Sequence, residues 1–149
     1  MAIFCETQQV KNPLEMRLGY QLRRVSSAIM TALAHNLSAL GLTPTEASIL
    51  LLIERNTALT QSDIGRELGI KRANMVPITA GLEKAGLIIR QAIDGRSFSL
   101  AATDEGKRIA AAADQIMEDQ EEALFATLSE RAGDLMRDGL QQLIAGIPD

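Results

Sequence analysis

Residues for metal binding and disulfide chemistry are almost missing from this sequence. It has one cysteine, Cys5, one histidine, His35, and no tryptophan. A single cysteine excludes an intrachain disulfide and is typical of a reducing cytoplasm. One cysteine and one histidine also fall short of the ligand set of a structural zinc site. We therefore expect a cytoplasmic protein with no metal and no cofactor.

Long apolar runs and a secretory signal are also missing. The absence of any apolar run of about eighteen residues or more argues against a membrane-spanning helix. The N-terminus, MAIFCETQQVKN, lacks the basic segment followed by an apolar segment that marks a signal peptide. Of the 149 residues, 46% are hydrophobic and 23% are charged, as in an ordinary globular chain. This length predicts a single domain over residues 1–149 with a sizeable core.

The charge is distributed unevenly along the chain. The formal net charge is −4, with +1 in residues 1–59, +2 in residues 60–100 and −7 in residues 101–149. This asymmetry indicates a middle segment that can approach an anion and a C-terminal segment that cannot. A solubilising acidic face explains the same numbers.

Two segments have the composition of helix starts. NPLE and TPTE each place a capping residue, Asn12 or Thr43, before a proline and a glutamate. The cap oxygen accepts a backbone N–H, the glutamate bonds back to the cap, and the proline loses no hydrogen bond there. Apolar residues then recur at intervals of three and four. This periodicity predicts a long amphipathic helix over 14–40, ended by Gly41, and a buried helix over 43–54.

The next two segments predict a helix-turn-helix. Thr60 caps a short helix over 61–68, and Gly69 ends that helix. A second helix, over 71–85, follows after a turn of about three residues and ends at Gly86.

The pattern then changes from helical to β. The segment LIIRQAIDGRSFSLAAT holds two short β-type runs around Asp94-Gly95, a dipeptide suited to a tight hairpin. We expect Ile89, Phe98 and Leu100 to face the core. A hairpin directly after a helix-turn-helix makes the unit winged.

Two more helices are expected after the hairpin. Thr103 caps the first of them, and a break near Ser129 precedes the second. The element order is then four helices, a hairpin and two helices. It predicts a mainly α fold, a winged helix-turn-helix with a small β-hairpin wing between N-terminal and C-terminal helical regions.

The ordered set of segments resembles the MarR family of bacterial transcription regulators. The resemblance runs from residue 14 to about 144 and is carried by LTPTEASILLLI, LTQSDIGRELGIKRANMVPITAGLEKAGLIIR, DGRS and ATDEGKRI. It implies a repressor whose winged lobe, 43–103, binds double-stranded DNA at a pseudo-palindromic operator. It implies a homodimer joined by the helices of 14–40 and 104–147. It also implies that a small anionic or phenolic effector, or an oxidant, releases the DNA.

The helix over 71–85 would read the bases. Its candidate contacts are Lys71, Arg72, Ala73, Asn74, Val76 and Pro77. Arg72 matches an early arginine of the family and can donate to guanine O6 and N7 or hold a phosphate, while Asn74 can pair with adenine. Lys71 replaces the usual capping serine, and polar residues of the family are replaced by Ala73, Val76 and Pro77. These three have no side-chain donors but can pack on thymine methyl groups, so only half of the family's polar base-reading set is present.

Pro77 allows two interpretations of this helix. In a continuous helix it removes the hydrogen bond to the carbonyl of residue 73 and bends the early turn. Alternatively, the helix starts later, near Asn74 or at Pro77 itself, and the earlier residues belong to the turn. We expect the continuous, kinked helix.

Further candidate DNA contacts flank that helix: Thr60, Gln61, Ser62, Arg90, Asp94 and Arg96. The first three open a helix whose N–H groups and dipole favour a phosphate, although ordinary capping explains them equally well. By resemblance, Arg96 is the wing arginine that enters the minor groove, and Asp94 is the wing aspartate that braces an arginine. Arg90 is a candidate partner of that aspartate or a phosphate contact.

Three residues are candidates for sensing. Cys5 is a redox candidate because the family's hydroperoxide sensors carry a reactive cysteine near the first helix, although an inert cysteine is the simpler expectation. Tyr20 and His35 are candidate effector-binding residues, and His35, late in the first helix, could meet an anionic effector. A packing role is the simpler expectation for His35.

One alternative function remains open. A winged domain that has lost operator binding could serve as a protein-interaction module, and the departures at Ala73, Val76 and Pro77 favour it. An enzyme is not expected, since the sequence holds no Ser/His/Asp set beyond the single His35, no phosphate loop and no metal cluster. The operator, the regulated genes, the effector and the sign of regulation do not follow from the sequence.

Overall fold

The computed structural model describes residues 11–93 and 97–147. Within them the chain forms helices and one hairpin in the expected order. The elements are α1 (Leu18–Leu37), a 3-10 turn (Ser38–Leu40), α2 (Pro44–Arg55), α3 (Gln61–Glu67), α4 (Arg72–Lys84), β1 (Ile88–Ala92), β2 (Phe98–Ala102), α5 (Asp104–Phe125) and α6 (Glu130–Gly146). The chain divides into two compact units, one ending at Ala32 and one beginning at Leu33.

The first unit corrects the expected start of the long helix. α1 begins at Leu18, not near residue 14. The side-chain oxygen of Asn12 accepts from the N–H of Leu14 at 3.0 Å, two residues on. The backbone carbonyl of Asn12 accepts from the N–H of Glu15 at 3.3 Å. Asn12 therefore closes a local turn instead of capping the helix, a known competing use of asparagine.

The second unit contains the hydrophobic core. Leu37, Ile49, Leu50, Ile64 and Met75 are almost fully buried and belong to one cluster drawn from four helices. The buried residues of α2 confirm its expected central position. Its start is held as predicted, with the Thr43 hydroxyl accepting from the Glu46 N–H at 3.2 Å and the Glu46 carboxylate accepting from the Thr43 N–H at 2.8 Å.

Two of the three hairpin residues that we expected to face the core are exposed. Leu100 is buried, but Ile89 is 47% exposed and Phe98 is 53% exposed, whereas Ile88 is buried. The strands pair antiparallel, with Ile88 opposite Ala102 and with Leu100 opposite Arg90. Ile89 lies on the other face of the two-stranded sheet, since adjacent side chains alternate. The turn residues Asp94, Gly95 and Arg96 lie outside the described residues.

α5 is anchored to the turn between α4 and β1. The Thr103 hydroxyl accepts from the N–H of Gly106 at 2.9 Å, which confirms the cap, and it donates to the carbonyl of Gly86 at 2.7 Å. Gly106 also faces the backbone of Leu87, and a Cβ placed there would lie 1.9 Å from the Leu87 carbonyl oxygen. The start of α5 is therefore packed directly against backbone.

α6 begins at the expected break and is joined to the end of α5. The Ser129 hydroxyl accepts from the N–H of Ala132 at 3.3 Å. The Arg137 guanidinium lies 4.1 Å from the centre of the Phe125 ring and 3.0 Å from Glu121. Gly133 is buried against the same ring.

The described residues hold no single membrane-spanning helix and no cluster of metal ligands. No single helix among them is long and apolar enough to cross a membrane, although the pair Leu18–Leu40 and Pro44–Arg55 passes that test together by length and composition. No group of three or more histidine, cysteine, aspartate or glutamate residues in residues 11–93 and 97–147 is placed to hold a metal ion.

Candidate nucleic-acid interface

The helix-turn-helix is formed by close packing of α3 on α4. Gly65 is the residue that permits it, because a Cβ there would lie 2.9 Å from the carbonyl oxygen of Ile70 and 3.2 Å from the Met75 side chain. The N–H of Ile70 donates to the carbonyl of Gly65 at 2.7 Å. Gly69 has a φ of +64°, which suits glycine at the end of a helix. These contacts set the position of α4 relative to α3.

α4 is one continuous helix in which Pro77 is the sixth residue. The interpretation that the helix starts at Pro77 is therefore wrong. The first turn already forms in front of the proline, with the N–H of Asn74 and of Met75 both donating to the Lys71 carbonyl. Lys71 stands at the N-cap without a side-chain capping bond. The bend expected at Pro77 stays a prediction.

The two sides of α4 differ sharply in burial. Met75, Thr79 and Leu82 are buried, and the Thr79 hydroxyl lies within hydrogen-bonding distance of the carbonyls of Met75 and Val76. The candidate base-reading residues are on the other side and exposed: Lys71, Arg72, Ala73, Asn74, Val76 and Pro77. The buried anchors thus present the candidate residues to solvent, where a duplex can reach them.

A groove beside α4 brings five candidate residues together. Its volume is about 380 Å³, and the candidates in its lining are Gln61, Ser62, Arg72, Val76 and Arg90. Arg66 also lines the groove and was missed by the sequence reasoning. Its side chain is 75% exposed and pairs with Asp63. Three arginines thus line one concave surface. Arg66 and Arg90 are paired with carboxylates, and Arg72 adds positive charge that favours an anionic ligand.

Arg90 has a partner that the sequence did not indicate. Its Nε and Nη2 donate to the two carboxylate oxygens of Glu83, both at 2.9 Å. This hydrogen bonding, followed by the Glu83 charge, raises the pKa of Arg90. The bidentate pair ties strand β1 to the last turns of α4. Arg90 is therefore braced from the recognition helix, while Asp94 and Arg96 lie outside the described residues.

Thr60 is used in the cap of α3. Its hydroxyl accepts from the N–H of Asp63 at 3.2 Å and donates to the Asp63 carboxylate at 2.6 Å. The same carboxylate accepts from the Thr60 N–H at 3.0 Å. Capping thus occupies the Thr60 side chain, whereas Ser62 is exposed and Gln61 is half-buried at the groove.

Replacing Asp63 by asparagine should lower stability in a pH-dependent way. Hydrogen bonds from Thr60, and secondarily Arg66, lower the pKa of Asp63 below its ordinary value of 3.8. A carboxyl whose folded pKa is lowered stabilises the fold above its unfolded pKa, and this contribution is lost as the pH falls through the folded pKa. We expect the wild type to have the higher thermal midpoint at pH 7, and the gap to narrow below pH 3.8.

Thermal unfolding followed by circular dichroism between pH 7 and pH 3 measures that gap. The variant Glu118→Gln, a charge removal at an exposed position of α5, serves as the control. A gap between wild type and Asp63→Asn that is constant over this pH range would contradict the assignment.

Two of the three sensing candidates, Tyr20 and His35, lie among the described residues. In the first unit, the Tyr20 hydroxyl accepts from the Asn12 amide at 2.8 Å, and the Arg24 guanidinium lies 5.9 Å from the ring centre. His35 is exposed, and its carbonyl accepts from the Ser38 hydroxyl at 2.6 Å. Cys5 lies outside the described residues. Their sensing roles stay predictions.

Comparison with known proteins decides the family. The model of the MarR family matches residues 40–97, which include α2, α3, α4 and β1. A protein of Thauera aromatica, assigned as a transcriptional regulatory protein for the hcr operon, is 30% identical over 116 residues, covering 76% of this chain and 70% of that protein. This chain belongs to the MarR family. It is a MarR-family transcriptional regulator, and its winged-helix fold confirms the expected fold class.

Solved MarR-family structures extend the comparison over nearly the whole chain. The transcriptional repressor CouR bound to a 23-mer DNA duplex is 31% identical, with a TM-score of 0.84, covering 91% of this chain and 99% of that one. CouR bound to p-coumaroyl-CoA is 28% identical, also with a TM-score of 0.84, and the match covers 93% of this chain and 100% of that one. The Mycobacterium tuberculosis protein Rv2887 in complex with salicylic acid is 26% identical, with a TM-score of 0.69, covering 85% and 95%.

Proposed function

We propose that this MarR-family regulator is a homodimeric repressor that binds a pseudo-palindromic operator and is released by a small anionic or phenolic effector. The observation that carries the DNA-binding part is the groove beside α4. It combines the guanidinium groups of Arg66, Arg72 and Arg90 with the exposed start of the recognition helix. The resemblance to CouR, whose structure has been solved on a DNA duplex, supports DNA binding in general.

Three of the candidate residues have a specific proposed role at the operator. Arg72 and Asn74 contact base edges from the first turn of α4, since both are exposed there. Arg90, braced by Glu83, holds a phosphate from the wing side. The proposed DNA-contacting set is Thr60, Gln61, Ser62, Lys71, Arg72, Ala73, Asn74, Val76, Pro77, Arg90, Asp94 and Arg96, all within the proposed DNA-binding lobe, 43–103.

The proposed dimer uses the helical regions 14–40 and 104–147. α6 exposes an apolar stripe at helical spacing, which Ile147 continues just after the helix; within α6 it is formed by Leu135, Met136, Leu140, Leu143 and Ile144. α1 exposes Leu18, Leu22, Val25 and Met30. Monomers rarely leave a long apolar helix face in water, so a second copy of the chain is the proposed cover of each of these helices. Two joined lobes would then reach two half-sites of one duplex.

The proposed effector class follows from the relatives. CouR binds p-coumaroyl-CoA and Rv2887 binds salicylic acid, and each ligand joins a phenol to negative charge. Tyr20 and His35 remain the candidate effector contacts, and Cys5 remains a redox candidate. The proposed location is the cytoplasm, where the operator is.

Replacing Arg72 by alanine is the test of the DNA-binding role. A selection from random duplexes with the purified protein first identifies the operator. Titration of that operator should then show about tenfold weaker binding or more, because a bidentate arginine–guanine pair is worth about 1–3 kcal/mol. Arg108→Ala removes the same charge from α5, where Arg108 pairs with Glu105, and should bind like the wild type.

The alternative function has its own outcome. A winged protein-interaction module would enrich no sequence from the random pool and would bind no duplex in a gel shift. Equal affinities of the wild type and Arg72→Ala for a selected operator would instead reject the role of Arg72 alone.

A further inference from the structure

The exposed side of the recognition helix carries an apolar strip. The strip consists of Ala73, Val76, Pro77 and Ala80, spaced at three, four and seven residues from the first. This spacing places them on one face of a helix, and all four are exposed, Val76 by 51%. The face of α4 that a DNA groove would meet is therefore apolar along its centre.

The borders of the apolar strip are cationic and polar. Lys71 and Arg72 stand at its N-terminal end, Asn74 beside it and Lys84 at its C-terminal end, and all are exposed. Within α4 the single carboxylate is Glu83, and both of its oxygens accept from Arg90. An occupant of this face must then combine negative charge at its edges with apolar groups at its centre.

The major groove of B-DNA fits that description at thymines. Phosphates line the edges of the groove, and the C5-methyl of thymine is the apolar group that bases present inside it. We propose that the apolar strip reads thymine methyl groups, so that Ala73, Val76 and Pro77 add a preference for thymine, through packing, to the base contacts of Arg72 and Asn74. Pro77 suits this role because its ring adds apolar surface. The inference rests on the proposed operator binding.

Uracil substitution tests the inference directly, since uracil differs from thymine only by the C5-methyl. In the selected operator, each thymine of one half-site is replaced by uracil in turn, and the dissociation constant is measured by fluorescence anisotropy. We expect about fourfold weaker binding at one to three positions, because loss of one buried methyl group changes the affinity by about this factor. Uracil outside the half-sites is the control and should change nothing.

The variant Val76→Ala links the effect to the strip. It removes two methyl groups from an exposed position of α4, so the fold should be retained, which circular dichroism checks. At one of the positions where uracil weakens binding by the wild type, the ratio of the affinities for the thymine and uracil operators should fall towards one in this variant. At the other positions the ratio should remain that of the wild type.

Each failure has a distinct meaning. Methyl reading is overturned if the operator binds strongly but every uracil substitution leaves the affinity unchanged. It is also overturned if the uracil effects are the same in Val76→Ala and in the wild type. In both cases operator binding itself still stands. A random pool without any enriched sequence overturns the operator proposal and methyl reading together, and points to a protein partner for the strip.

Discussion

Replacing Gly106 by alanine is expected to destabilise the protein severely. The added Cβ would lie 1.9 Å from the Leu87 carbonyl oxygen and 3.0 Å from its carbonyl carbon. Leu87 cannot easily move away, since its carbonyl accepts from the N–H of Thr103 at 3.0 Å and its own N–H donates to Leu82 at 3.0 Å. Such overpacking against backbone should cost about 3 kcal/mol, or a fall of about 10 °C in the thermal midpoint.

The matched control is the same substitution at Gly81. This glycine lies inside α4, and within the described part of the chain a Cβ there meets no atom within 4 Å. Alanine is the better helix former by about 0.8–1.0 kcal/mol, so Gly81→Ala should hold or raise the midpoint. Equal midpoints for the Gly106 and Gly81 variants in a calorimetric scan would refute the packing argument at α5.

A charge in the apolar stripe of α6 is expected to break the proposed dimer. Leu143 is 42% exposed in the single chain and lies near the middle of the stripe, so a second copy would bury it. An aspartate in its place would have to lose its hydration without a partner. We expect Leu143→Asp to weaken dimerisation about a hundredfold or more, since an unpaired buried charge costs several kcal/mol.

Sedimentation velocity over a range of concentrations measures this change. Gln141→Asp introduces the same side chain at an exposed α6 position away from the stripe and should remain dimeric. The monomeric variant should also lose most of its operator affinity, because one lobe alone gains no benefit from the second half-site. A Leu143→Asp protein that is folded by circular dichroism and still dimeric would reject α6 as the dimer surface.

The helix caps show what local sequence can establish. The capping box at Thr43 and the cap at Thr60 are as predicted, because each involves a side chain and a backbone group only three residues apart. The same reasoning was wrong at Asn12, whose side-chain oxygen accepts from the N–H of Leu14, two residues on, instead of capping the helix. An asparagine can close a turn or cap a helix with the same oxygen, and the sequence does not rank the two.

The hairpin shows where periodicity is insufficient. A run of adjacent isoleucines does not say which of them faces the core, because a shift of one residue exchanges the two faces of a strand. Because Arg90 pairs with the buried Leu100, Ile88 lies on the same face of the sheet as Leu100 and is buried. Ile89 lies on the other face and is exposed.

The sequence by itself determined the element order and the mainly α winged fold, because these depend on caps, glycine stops and hydrophobic spacing within a few residues. Its resemblance to the MarR family, carried by the ordered segments, indicated the family. Only the tertiary structure decided that Glu83 braces Arg90 and that Arg66 joins Arg72 at one groove. The physical reason is that such pairs form across the turns from α3 to α4 and from α4 to β1. Their geometry depends on the whole path of the backbone, which Gly65 and the buried core of the second unit hold in place.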